Sequence, residues 1–279
     1  MHMRKLKLLL ILGFFITLVD VSFAQISIHV GATTAYNATF VLDKGLSEDP
    51  RYSSTMTYNW APIGFNFGVD FTNKFGLSLE SILSHQGQIY EIVDVAEKVV
   101  GQRSIDLSYV HLPLLMRFMS GGNGTTRANF NLGPQLSLLT DASEMMQYSA
   151  STQTFPPGSE LPPGSTNIVE NIDGSITADV PAQSPEEILS KEKNSFKNAE
   201  FQLAGAFGLD IDLSRHLYLS TQIRANYSLT DMRNGDVIDA IKEGNTNDIF
   251  GARANVVVGL QMGVHYVFGS TRSFKYKGK

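Results

Sequence analysis

The sequence predicts an all-β fold, an eight-stranded antiparallel up-and-down transmembrane β-barrel with short periplasmic turns and long extracellular loops. Three observations predict it. The first is residues 217–229 (LYLSTQIRANYSL), which alternate apolar and polar side chains for thirteen positions. Leu217, Leu219, Ile223, Tyr227 and Leu229 share one face, and Ser220, Gln222, Arg224, Asn226 and Ser228 share the other, because successive strand residues point to opposite sides. A tilted strand crosses a bilayer in about 9–11 residues. Arginine and asparagine in mid-strand do not suit a packed apolar core; they suit the inside of a closed barrel whose outside touches lipid. The second observation is that connections between predicted strands run long, short, long, short, long, short, long. The third is that no apolar run of about 18 residues follows the N-terminal segment, so no transmembrane helix is expected.

The N-terminus carries Arg4, Lys5 and Lys7, then an apolar run over 8–19, then Ser22 and Ala24 in a small-x-small pattern. That layout predicts a signal peptide over 1–24, cleaved after Ala24, and a mature barrel over 25–268. Without Arg4, Lys5, Lys7 and Asp20 the chain keeps 19 basic and 26 acidic residues, a balance that argues against nucleic acid as a partner. There is no cysteine, which removes disulfides, CxxC redox chemistry and thiolate metal sites together.

The strands follow in order. Residues 26–40, rich in β-formers, form the first. Residues 41–60 are polar and read as a loop. Phe65, Phe67, Val69 and Phe71 alternate with Asn66, Gly68 and Asp70 in the second, and a tight turn at 72–75 leads to the third, over 77–88. A loop then runs to about Arg103. The fourth, over 104–118, has Ile105, Leu107 and Tyr109 on one face, but from Val110 its apolar set moves to even positions. A one-residue slip of that kind predicts a β-bulge beside Pro113. A glycine-rich turn over 120–126 precedes the fifth, marked by Phe130, Leu132, Leu136 and Leu138.

Residues 140–198 then read as one long outer loop, with nine acidic and three basic residues and a short helix expected near 185–193. The sixth strand spans 201–213, the seventh is the stretch described above, a polar loop covers 231–251, and the eighth spans 254–268. The tail over 269–279 is basic. An even strand number leaves both termini periplasmic, and closure pairs every strand edge, which lipid demands.

The chemistry-bearing residues point inward. Glu80, His111, Arg117, Gln135, Asp210, Asp212, Gln222, Arg224, Asn226, Gln261 and His265 fall on lumen positions. They fit a polar conduit, a hydrolytic site, or a charge-paired plug. The plug is the reading that narrow geometry favours, because eight strands enclose an interior that side chains fill, and unpaired buried charge is costly. The six histidines show no HExxH spacing, and no GxSxG, Walker loop or dinucleotide fingerprint occurs. Asp231, Asn234, Asp236 and Asp239 supply oxygen ligands at a density Ca²⁺ tolerates, but not in EF-hand spacing, and read as a solvated acidic loop. No catalytic, cofactor-binding or metal residue is assigned, and no cofactor is expected.

Residues 62–88 (PIGFNFGVDFTNKFGLSLESILSHQGQ) resemble the second hairpin of the PorT-like outer-membrane β-barrel family of Bacteroidetes-type bacteria. Glu80 and Ser84-His85-Gln86-Gly87 match its glutamate and Ser-x-x-Gly pattern. Residues 109–118 (YVHLPLLMRF) resemble its next strand through Pro113 and Arg117, with His111 where glutamate is usual, and Gly133-Pro134 resembles its Gly-Pro element. The resemblance spans roughly 26–268 and implies an eight-stranded barrel, with one branch serving type IX protein secretion. The function expected is a non-enzymatic outer-membrane barrel, acting as a structural, binding or assembly component through its extracellular loops. Its partners are outer-membrane lipid and candidate cell-envelope or secretion-complex proteins. A narrow solute channel and an outer-membrane hydrolase are the alternatives.

Overall fold

The computed structural model describes residues 26–120, 124–245 and 248–268. The expected signal segment, the tail over 269–279 and positions 121–123 of the glycine-rich turn lie outside the described residues. The elements are β1 (Ser27–Asp43), α1 (Lys44–Glu48), β2 (Tyr52–Thr55), β3 (Thr57–Asp70), β4 (Phe75–Val93), β5 (Val99–Met119), β6 (Thr126–Tyr148), β7 (Ser151–Phe155), β8 (Thr166–Glu170), β9 (Ile176–Val180), β10 (Glu186–Ser190), β11 (Ala199–Asp212), β12 (Leu217–Ser228), α2 (Gly235–Lys242) and β13 (Arg253–Phe268).

Eight strands close a ring. The antiparallel pairs run β1–β3, β3–β4, β4–β5, β5–β6, β6–β11, β11–β12 and β12–β13. β13 then returns to β1, from Ile28 opposite Phe268 to Asp43 opposite Arg253. Closure leaves no ring strand with an unpaired edge, which is the condition for crossing lipid. Tight turns over 71–74 and 213–216 join ring strands at one end. In one of them Thr72 Oγ1 accepts from Lys74 N at 3.1 Å and Phe75 N at 3.0 Å. Such hydroxyl-capped turns compete well with regular structure and reverse the chain in few residues.

Side-chain facing follows the dyad period. Phe67, Leu79, Leu114, Met116, Phe207, Ile223, Leu260 and Val264 are exposed and form an apolar belt around the ring. Alternate residues between them are buried and include the polar lumen set, with apolar members such as Leu115, Ala204 and Ala206. On β5 the odd positions stay inward from Arg103 to Met119. The expected bulge at Val110 is therefore corrected: the facing does not slip, and the chemistry inverts instead. Below Val110 the outside is apolar, as lipid requires, and the inside mixes His111 and Arg117 with Pro113, Leu115 and Met119. Above it Ile105, Leu107 and Tyr109 are buried while Asp106 is exposed, as water requires. A real bulge lies opposite, on β6, where Thr140 is the extra residue between Leu139 (paired with Tyr109) and Asp141 (paired with Ser108). Thr140 Oγ1 donates to Ser108 O at 3.0 Å.

Other expectations are corrected for the same reason. Residues 41–60 are not a loop: β1 runs to Asp43, α1 follows, and β2 pairs with β4. The connection after the third strand is a short hairpin over 94–98, because β4 and β5 continue past the belt. Residues 140–198 are not a structureless outer loop. β6 continues to Tyr148, β7, β8 and β9 form a separate three-stranded sheet, and β10 pairs with β6. The helix expected near 185–193 is thus a strand. Residues 231–251 contain α2.

These extensions bury an apolar core of their own. Val41, Tyr90, Ile105, Leu107, Tyr109 and Leu139 point inward from the ring, and Leu46, Leu189, Phe196 and Met232 pack onto them from the connections. The molecule is therefore a polar-filled barrel continued by a cap built like a soluble protein. The cap docks tightly: a Cβ added at Gly251 would lie 1.8 Å from Gly45 N, so only glycine fits where these two connections touch.

Candidate functional site

The lumen is filled from its turn end to the cap by tiers of paired side chains. In the lowest tier Arg117 reaches Asp70 at 3.1 Å, Asp210 at 3.0 Å and the His29 ring. Asn129 donates to Asp210 at 2.9 Å, and Arg127 pairs with Asp212 at 3.0 Å. His265 stacks on Tyr218, centroids 4.4 Å apart, and contacts Ser220 Oγ at 2.8 Å. A side chain at Gly68 would enter the His29 ring space, so the strand leaves that room with glycine.

The middle tier centres on Arg224. Its guanidinium pairs with Glu80 and donates to Gln261 at 3.1 Å, Gln135 at 3.2 Å and Asn226 at 3.2 Å. Gln222 donates to Gln261 at 3.0 Å. His111 lies 2.6 Å from the Gln86 amide and 2.8 Å from Ser137 Oγ. Above it Glu200 accepts from the Tyr109 hydroxyl at 2.8 Å and from Asn255 and Gln202.

The structure thus brings Glu80, His111, Arg117, Gln135, Asp210, Gln222, Arg224, Asn226, Gln261 and His265 together as buried lumen residues, with Asp212 half-buried at the turn end. Burying a charge is tolerable only when a partner and further hydrogen bonds replace its water. Each arginine here meets that condition except for single N–H groups such as Arg127 Nε. Two lumen cavities between the tiers are about 20 Å³ each, room for about one water.

The lumen set read from the sequence left out His29, Asp70, Asn129 and Asn131, although alternation put the last three on the polar face of their strands; all four are buried on the inward face. The set also missed a topmost tier inside the cap, where Asp43, Arg253, Glu144, Arg103 and Asp248 alternate in sign across the barrel. Arg253 pairs with Asp43 and reaches Glu144 at 2.6 Å, Glu144 also pairs with Arg103, and Arg103 grips Asp248 with two bonds of 2.7 and 2.9 Å. The signal was present: Arg103 continues the odd positions of Ile105, Leu107 and Tyr109. In the loop beyond the ring, burial raises the Asp248 carboxyl, but the hydrogen bonds and charge of Arg103, with the Ile249 N–H and Arg253, together hold Asp248 below the usual carboxylate range.

Among the described residues three Ser–His contacts occur: Ser108–His85 on the outward face, and Ser137–His111 and Ser220–His265 in the lumen, where neither pair is arranged for nucleophilic attack. The second His111 nitrogen faces an amide rather than an orienting carboxylate. Both pairs lie in space too small for a substrate. The acidic loop also separates: Asp231 is held by Arg233 at 2.8 Å and accepts from Arg253 N, Asn234 precedes α2, and Asp236 and Asp239 lie within it. Among the described residues no group of three or more His, Asp or Glu is placed to hold a metal ion.

A family model described as outer membrane protein beta-barrel domain matches residues 23–234. No curated protein sequence matches the chain. Among solved structures, Neisserial surface protein A aligns over 86% of this chain and 97% of its own at 10% identity, with a TM-score of 0.36. OprG from Pseudomonas aeruginosa aligns over 87% and 95% at 13% identity, TM-score 0.38. The outer membrane protease OmpT from Escherichia coli aligns over 90% and 99% at 10% identity, TM-score 0.39.

Proposed function

The chain belongs to the outer membrane β-barrel domain family, and from that premise we propose that it is a non-enzymatic anchor: a sealed barrel that holds a folded cap outside the cell, where the cap binds. The lumen filling carries this reading. Arg117 and Arg224 are each paired across the barrel, and two cavities between the tiers are about 20 Å³ each, so side chains occupy the middle of the lumen that a channel would need open. Outside this scaffold stands the cap, which contains most of the connections and all of the extra secondary structure. Both termini lie on the periplasmic side in this reading, since β1 begins and β13 ends opposite the cap.

The finer assignment is an accessory of protein secretion of the PorT-like kind. Its support is the resemblance at Glu80, Ser84, Gly87, Pro113, Arg117 and Gly133-Pro134. Partners would then be cell-envelope or secretion-complex proteins at the cap, with lipid around the belt. A channel is the rival reading, and conductance separates the two. Purified protein in planar bilayers is expected to show no stable open state. A steady conductance in the wild type would overturn the sealed-anchor reading.

A further inference from the structure

The cap holds a cavity of about 690 Å³ between β10, α2 and the far end of β6. That volume lies in the range of small-molecule sites, roughly 300–1,000 Å³. Its apolar wall includes Met146, Ile188 and Val237, and Ile188 and Val237 rest on the cap core. Two tyrosines, Tyr52 and Tyr148, also line it, and the Arg51 guanidinium lies 5.8 Å from the Tyr52 ring centroid, which leaves the Tyr148 ring. The cavity's cations are already neutralised: Arg103 by Glu144 and Asp248, Lys193 by Glu187 at 2.8 Å, and Arg51 by Asp49 at 2.7 Å. Its remaining acids are not. Among the described residues neither Glu186 nor Asp236 has an ion-pair partner, and both border the cavity. The space is thus partly apolar, aromatic on one side and left with uncompensated negative charge.

We propose that this cavity binds a small amphiphilic organic cation, its apolar body against Met146, Ile188 and Val237 and its ammonium group among Glu186, Asp236 and the Tyr148 ring. Aromatic faces attract ammonium groups through the ring quadrupole, and the attraction grows as water is excluded. An anion would meet Glu186 and Asp236 with no unpaired cation to offset them. A neutral amphiphile would gain the apolar wall alone. The proposal rests on the reading that the cap works by binding, and it identifies the ligand class.

The test uses the full mature chain in dodecyl maltoside micelles, with empty micelles as the blank. Hexyltrimethylammonium, hexanesulfonate and hexyl glucoside are titrated by calorimetry. Saturable single-site binding of the cation is expected, with the other two at least about tenfold weaker, a gap of about 1.4 kcal/mol. Glu186→Gln with Asp236→Asn should weaken the cation by about tenfold and leave the glucoside unchanged. Heat-modifiable gel migration shows that the variant is folded. Equal binding of all three probes, an unchanged cation affinity in the folded variant, or no saturable cation binding overturns the proposal. A folded, non-conducting protein that binds no cation defeats this inference alone, whereas stable conductance defeats the sealed-anchor reading.

Discussion

At the scale of single residues, the lumen works by mutual neutralisation. Arg224 is buried and touches Glu80, Gln135, Asn226 and Gln261, so its removal strands the Glu80 carboxylate without its ion partner. Arg224→Ala is expected to cost about 3–5 kcal/mol, the usual loss on breaking one half of a buried pair. Replacing both partners by Glu80→Gln with Arg224→Met should recover most of that, because no unpaired charge remains. Urea unfolding in lipid vesicles reads both. In the cap the same logic becomes a pH dependence. Asp248 is held below the usual carboxylate range by Arg103 after burial has pushed the other way. Its stabilisation is therefore fully present above the unfolded value, about pH 4, and is lost as pH falls through the lower folded value. Pepsin should cut the cap at pH 2 much faster than at pH 4 relative to an unstructured peptide control, and Asp248→Asn should cut readily at both.

At the scale of elements, strands inside the apolar belt were legible and their continuations were not. The alternation of Phe65–Phe67–Val69, of Leu217–Leu219 and of Val256–Val258–Leu260 states which face meets lipid, and the ring carries those faces as expected. Past the belt, water replaces lipid outside and apolar packing replaces polar filling inside, so a reader following the lipid rule sees the pattern fail. That failure produced the bulge assigned at Val110, the loop assigned to 41–60 and the single loop assigned to 140–198. Within the site, Glu80, Arg117, Asp210 and Arg224 were legible as polar residues flanked by apolar ones. Their partners His29 and Asp70 were not singled out, because pairing across a barrel depends on closure and register, which no local pattern encodes. The small sheet of β7, β8 and β9 makes a separable unit. Its ladder bonds are internal, and it touches the β4–β5 hairpin through Lys98 Nζ to Thr152 O and Thr154 N to Asp94. Replacing residues 150–181 by a short Gly-Ser turn should leave the urea midpoint and heat-modifiable migration of the barrel unchanged. A large drop in midpoint would show the sheet to be part of the barrel's core.

At the scale of the whole molecule, the inversion of pattern along one strand fixes where the bilayer ends. β5 shows it most directly, since Asp106 and Ser108 face out above the boundary and Leu114, Met116 and Phe118 face out below it. Neighbouring strands agree: Leu83 on β4 and Leu138 on β6 are the last large apolar residues facing out before His85 and Thr140. A hydrocarbon core of about 30 Å cannot admit an outward Asp106 at its centre without several kcal/mol of cost. The boundary therefore crosses β5 between Ser108 and Leu112. The absence of cysteine makes this measurable with single substitutions on an otherwise thiol-free chain. Cysteine at Asp106 or Ser108 should react with a membrane-impermeant maleimide on intact cells, if the cap faces outward. Cysteine at Leu114 or Met116 should stay unreactive until the membrane is dissolved and the protein unfolded. Equal labelling at all four positions would mean that the extended strands do not stand clear of the bilayer. Labelling at 106 and 108 only after the outer membrane is opened would keep the boundary and reverse the orientation, leaving the cap in the periplasm.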